Sequence, residues 1–274
     1  MVHEHGFLAG RGRLAPPGAA TRQRLTVRLP SWVSLAITVV VLLIGWQVLV
    51  VVRDYPPFIL PAPTLVLQRL AVELAGETLP RHAQVTLSAA LGGFGMALVL
   101  SLALGYLLAH ARSFDRVLTP LLAASQAVPV VAIAPLIILW VGIGIESRVL
   151  VAALVTFFPI LSATIVAIRG VPRELVEMAH ISGASRMQML RHVELPLALP
   201  GIFGGAKAGL ALATTGAVVG EFVGGRDGLG ALINIARGLF DTPLMFVALT
   251  VLASITLLFY LAALLVERLL IHWE

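Results

Sequence analysis

Six stretches of this chain run roughly 20 residues or longer with at most one charge: Leu29–Val52, Ala83–Ala109, Val117–Ile145, Val149–Ile168, Leu195–Gly220 and Thr242–Val266. Only the fifth is interrupted, by Lys207. A helix needs about 20 apolar residues to cross ~30 Å of hydrocarbon at ~1.5 Å per residue. Lipid offers the backbone no hydrogen bonds, so each run must be helical rather than an isolated strand. The chain is 59% hydrophobic and 12% charged, where a soluble domain carries roughly 25% charged residues. Its own core cannot hide that much apolar surface. The expected fold class is an all-α membrane protein with six transmembrane helices embedded in a lipid bilayer.

Arginine sets the expected orientation. With the N-terminus in the cytoplasm, the inner segments hold twelve arginines and the outer ones six, and five of the twelve precede the first run. That bias predicts a multi-pass protein with both N- and C-termini cytoplasmic. It also accounts for the net charge of +5 without nucleic acid. The first run exceeds the 7–15 residues of a cleaved signal and no small-x-small site follows it, so it reads as a true span. Residues 1–28 read as a disordered basic cytoplasmic tail, and residues 29–274 as the transmembrane domain.

Within the runs, small residues recur every four positions: Ala89, Gly93, Ala97, Ser101 and Gly105 in the second, and Gly201, Gly205 and Gly209, then Gly216 and Gly220, in the fifth. That spacing lines one helix face and predicts close helix packing. The third run holds Gln126, Pro129 and Pro135. Gln126 either lines a polar path or bonds a neighbouring helix. Lys207 either meets an anionic substrate or snorkels to the inner surface, and Glu221 either gates the outer end, pairs with Arg226 or caps a helix. After the first run, Tyr55–Pro63 is a rigid connector. Thr64 is then expected to cap a short amphipathic surface helix bearing Leu67, Leu70, Ala71 and Leu74. Gly224–Gly230 reads as a turn, and His82 and His110 as ordinary interface residues flanking the second span.

No phosphate loop, H-E-x-x-H or metal-ligand spacing occurs, and there is no cysteine. The chain therefore shows no catalytic or metal site of its own. Its one long polar stretch, residues 169–196, is predicted to be helix, turn, helix. Pro172 suits a helix start, Arg173 to Ser182 read as helix, Gly183 permits a turn, and Ser185-Arg-Met-Gln188 matches a capping box. Met187, Leu190 and Val193 follow at three-residue steps. Apolar residues held in water in this way invite a partner's groove.

That stretch resembles the E-A-A-x-x-x-G-(nine residues)-I-x-L-P motif of permease subunits of ATP-binding-cassette importers. Here the motif reads Glu177, Met178, Ala179, Gly183, Val193, Leu195 and Pro196, with Met178 for the second alanine and Val193 for isoleucine. From about residue 30 to 270 the chain is similar to the nitrate, sulfonate and taurine subgroup, through Leu79–Leu87, Pro129–Gly144 and Gly220–Gly230. Where that subgroup often has an arginine after its Thr-Leu pair, this chain has Ala89.

The resemblance implies a type I (MetI-like) importer permease fold in a bacterial inner (plasma) membrane. It implies a homodimer of two permease copies, two ATPase subunits on the cytoplasmic loops and a periplasmic solute-binding protein. ATP and Mg would be bound by the partner ATPase, with no cofactor in this chain. Glu177, Met178, Ala179, Gly183, Ala184, Met187, Leu190, Leu195 and Pro196 become the expected ATPase-coupling residues. Gln126, Lys207 and Glu221 are the candidates for the pathway or gate. The cargo would be a sulfonate, taurine, nitrate or related small molecule, with vitamin precursors such as hydroxymethylpyrimidine or riboflavin handled by some similar proteins. The alternative is a self-contained secondary carrier or channel.

Overall fold

The structure is a computed structural model that describes residues 31–111, 120, 124 and 129–271. Gln126 and the basic tail at 1–28 lie outside the described residues. The chain divides into two units, residues 1–44 and 45–274. In the first, the described stretch opens helix α1 (Ser31–Arg53), and its Leu35, Val40, Leu42 and Ile44 are exposed, as side chains meeting lipid would be.

The second unit continues α1 and then runs α2 (Pro63–Ala75), α3 (Thr78–His110), α4 (Val130–Val141), α5 (Ile145–Arg169), α6 (Arg173–Ile181) and α7 (Arg186–Met189). A π-helical turn (Leu190–Glu194) leads into α8 (Leu195–Gly224), followed by α9 (Leu229–Gly238) and α10 (Thr242–Leu270). Among the described residues, five helices are long and apolar enough to cross a membrane: α1, α3, α5, the α7–α8 stretch and α10. Of the third apolar run, most of 117–128 lies outside the described residues; its described C-terminal part forms α4, whose N-cap is Pro129. Its expected end at Ile145 is corrected. The backbone breaks at Gly142, where φ is +97°, and Ile145 already begins α5.

Helix α5 is the centre of the bundle, packed between α3 and α8, which also touch each other. The two stripes of small residues explain why. Ala89, Gly93, Ala97, Ser101 and Gly105 are all buried along α3. A Cβ on Gly93 would lie 2.5 Å from Ala152 Cβ, one on Gly216 2.7 Å from Ala152 Cα, and one on Gly209 2.6 Å from Ile160 Cδ1. Both stripes thus press backbone onto α5, the close approach that replaces hydrophobic driving force in lipid. Ser101 donates to Phe157 O across the same contact at 2.8 Å.

At the end opposite the polar loop, Val66, Leu79, Leu229, Leu232, Ile233, Val247 and Ala248 join α2, α3, α9 and α10 in one apolar cluster. The N-cap of α2 is Ala62, with Pro63 in its first turn, so Thr64 is not the expected cap. Proline's fixed φ starts this helix instead, and Thr64 lies 3.4 Å from Gln47 Oε1. Val66 belongs to the cluster and Leu70 packs against it, Pro63 is buried, and Leu67 and Leu74 are exposed. The residues 224–230 are only partly a turn, because Leu229 and Gly230 already belong to α9.

Candidate coupling loop and transport path

The polar stretch folds as its local residues dictate. Pro172 is the N-cap of α6, and no residue of that helix is buried. Gly183 adopts φ +78°, the left-handed region where a Cβ is penalised. Its amide donates to His180 O and that of Ala184 to Ala179 O, both at 3.0 Å, closing the end of α6. The capping box forms: the Gln188 amide donates to Ser185 Oγ (3.4 Å), and the Ser185 amide to Gln188 Oε1 (2.9 Å).

Helix α7 does not continue as the α-helix that three-residue steps suggest. It widens at Leu190–Glu194, where the Leu195 amide donates five residues back to Leu190 O. Pro196 gives a local cause. It has no amide to offer the His192 carbonyl, and its ring pushes that carbonyl aside. The exit from the loop is therefore a π turn leading into a proline-started α8.

The motif residues part into two clefts. Glu177 lines a polar cleft of about 720 Å³ with His110, Arg169, Arg173 and Glu194. Met178, Ala179 and Pro196 line an apolar groove of about 490 Å³ with Leu175, Val193 and Leu197. Met178, Gly183, Met187 and Leu195 are exposed, while Ala179, Ala184, Leu190 and Pro196 are half-buried. At the elbow, Ile181 is 87% exposed and Met187 69%. Apolar side chains so open to water, beside a groove, form a surface built to be covered.

The path candidates meet different fates. Lys207 is not free for an anion: its Nζ donates to both carboxylate oxygens of Glu267, at 2.7 and 2.8 Å, pinning α8 to α10. Sequence reasoning passed over Glu267, although it is the acid that stands one residue beyond the sixth apolar run.

Glu221 does not pair with Arg226 in the described contacts. It is fully buried, and its carboxylate accepts from Thr86 Oγ1 at 2.8 Å and from the Gly230 amide at 2.7 Å. The Leu229 amide donates to Thr86 Oγ1 at 2.8 Å, and His82 Nδ1 lies 2.8 Å from the Gly228 carbonyl oxygen and 2.9 Å from its amide nitrogen, donating to the first or accepting from the second according to its tautomer. Glu221 is thus the acid of a cap built on the first turn of α9, with α3 supplying Thr86 and His82. A negative charge suits a helix N-terminus. His82 and His110 are also more than flanking residues: the first is buried against Gly228, and the second bonds Glu194.

The residues 97–272 match the family described as the binding-protein-dependent transport system inner membrane component. The riboflavin transport system permease protein RibX of Chloroflexus aurantiacus is 64% identical over 241 residues, covering 88% of this chain and 90% of that protein. The putative aliphatic sulfonates transport permease protein SsuC of Bacillus subtilis is 32% identical over 256 residues, covering 93% and 92%. The inward-facing MetNI methionine ABC transporter superposes with a TM-score of 0.63 at 23% identity, over 70% of this chain and 95% of that one. That likeness speaks for the fold. A multi-pass helical bundle, an exposed elbow and these relatives agree: the chain belongs to the inner-membrane components of binding-protein-dependent transport systems, as the permease subunit of an ATP-binding-cassette importer.

Proposed function

We propose that this permease carries riboflavin or a closely similar flat heteroaromatic vitamin into the cytoplasm, by alternating access driven by ATP. The 64% identity to RibX along nearly the whole length carries this reading. The geometry supports it: Lys207 is neutralised by Glu267, so the one charge deep in an apolar run offers little to a sulfonate or nitrate. Two copies of the chain form the path, and each presents residues 173–190 to one of two ATPase subunits. Glu177, Met178, Ala179, Gly183, Ala184, Met187 and Leu190 make up that surface, Leu195 and Pro196 complete the coupling set at its exit, and ATP and Mg are held by the ATPase. Glu221 holds the outer end of the path, and Gln126 remains a candidate for the path by its place in the sequence alone. The N- and C-termini are cytoplasmic, and the binding protein meets the opposite side.

The test is uptake by the permease, its ATPase and its binding protein in proteoliposomes. Labelled riboflavin should accumulate only with ATP inside, and taurine or an alkanesulfonate should not compete. Competition by the sulfonate would move the cargo to the oxyanions, and accumulation without ATP would favour a self-contained carrier. Gly183→Trp, which forces a bulky side chain into left-handed backbone, should release the ATPase from the purified complex. Retention of the ATPase at wild-type stoichiometry would remove the loop assignment.

A further inference from the structure

The polar loop stands on two feet, and both rest on the same turn of α3. At its entry, Arg169 donates from Nη2 to Leu108 O (3.0 Å) and from Nε to Ala109 O (3.4 Å). These are terminal carbonyls of a helix, which lack partners within it. At its exit, Glu194 Oε1 lies 2.9 Å from His110 Nε2, between residues 84 positions apart. Glu194 is 7% exposed and is the last residue of the π turn.

The chemistry of this second foot is specific. His110 Nδ1 lies 2.9 Å from Tyr106 O. A carbonyl only accepts, so Nδ1 carries a hydrogen. A neutral ring then has only a lone pair on Nε2, facing a carboxylate oxygen. The contact closes only when a second proton sits between Nε2 and Oε1, giving a charge-assisted bond. Tyr106, one turn earlier on α3, also hydrogen-bonds the Glu194 side chain, so both contacts tie the π turn to a spanning helix other than α8.

We propose that Glu194 is a positioning residue for energy coupling: its bond to His110 makes the π turn carry displacement of α6 and α7 into the end of α3. This rests on the reading of residues 173–190 as the ATPase-docking surface. Helix α3 packs along α5 and α8, so a push delivered at Leu108–His110 reaches the whole bundle. A π turn is a locally widened helix of the kind often found at functional sites. Without its tether it absorbs the push by bending. The ATPase then still docks and hydrolyses ATP, but the bundle that α3 belongs to lags behind.

The experiment uses the whole complex in proteoliposomes and reads two rates at once, ATP hydrolysed and solute taken up, with labelled riboflavin as the probe. Glu194→Ala should keep the ATPase bound and hydrolysis near wild type, while solute moved per ATP falls about tenfold, the loss of one charge-assisted bond. Glu194→Gln can still donate its amide hydrogen to a neutral ring at Nε2 and should restore most of that ratio. A Glu194→Ala complex with the wild-type ratio would overturn the proposal. So would a parallel fall of both rates that Glu194→Gln fails to rescue, since that marks a merely structural residue. Loss of the ATPase from Glu194→Ala would also overturn it, assigning the residue to docking. If instead Gly183→Trp keeps its ATPase, the loop reading fails, and that result is separate from the coupling ratio.

Discussion

A single buried carboxylate shows how much one side chain can settle here. Glu221 accepts from a hydroxyl on α3 and an amide of α9, both held away from water. Removing it strands those donors, and an unsatisfied buried donor costs about 1–3 kcal/mol. Glu221→Ala should therefore lower the melting temperature of the detergent-purified permease, with Thr86→Val lowering it less. Equal melting curves for Glu221→Ala and wild type would show that the cap does not form. Gly228→Ala should be worse than either, because φ there is +114° and the new methyl meets the Glu221 carboxylate. The sequence made Glu221 conspicuous as an acid at the end of an apolar run, and helix capping was among its readings. Which helix it caps was not legible, because Thr86 is 135 positions away.

At the scale of the elements, local chemistry and long-range contact divide the outcome. Helix α6, the Gly183 turn and the Ser185–Gln188 box follow from residues within four positions of one another, and they appear where their sequence signals stand. The π turn and α9 do not. The first has a local cause in Pro196 but is also bonded to His110, 84 positions from Glu194, and the second is a ten-residue helix whose start is fixed by Glu221 rather than by its own first residues. Glycines at 224, 225, 228 and 230 had pointed to a turn throughout. Pro196→Ala tests the first point. It returns an amide that can donate to His192 O, so the segment can tighten toward α-helix. The chain has no cysteine, so a cysteine pair at positions 110 and 194 can report the distance. Cross-linking of that pair should fall when Pro196→Ala is added, and an unchanged yield would show that the proline does not set the wide turn.

For the whole molecule, the six apolar runs and their composition were enough to predict a helical membrane protein, because hydrocarbon leaves the backbone little choice. Which helix sits at the centre was less plain. The fourth run carries its small residues less regularly, at Ala152, Thr156, Ala163 and Ala167, yet α5 is the core, because the stripes of α3 and α8 both turn toward it. The sidedness drawn from arginine makes a direct prediction. A cysteine at 187 should react with a membrane-impermeant maleimide only in inside-out vesicles, and one at 239, where Leu239 is exposed, only in intact spheroplasts. The reverse pattern would invert the topology.

The glycine contacts on α5 carry a further consequence for motion. Gly93 and Gly216 both sit against Ala152, and neither neighbour can slip by a residue without driving a side chain into backbone. The three helices are keyed together like cogs on a single shaft. Any swing between open states must then bend outside them, at the break around Gly142–Gly144.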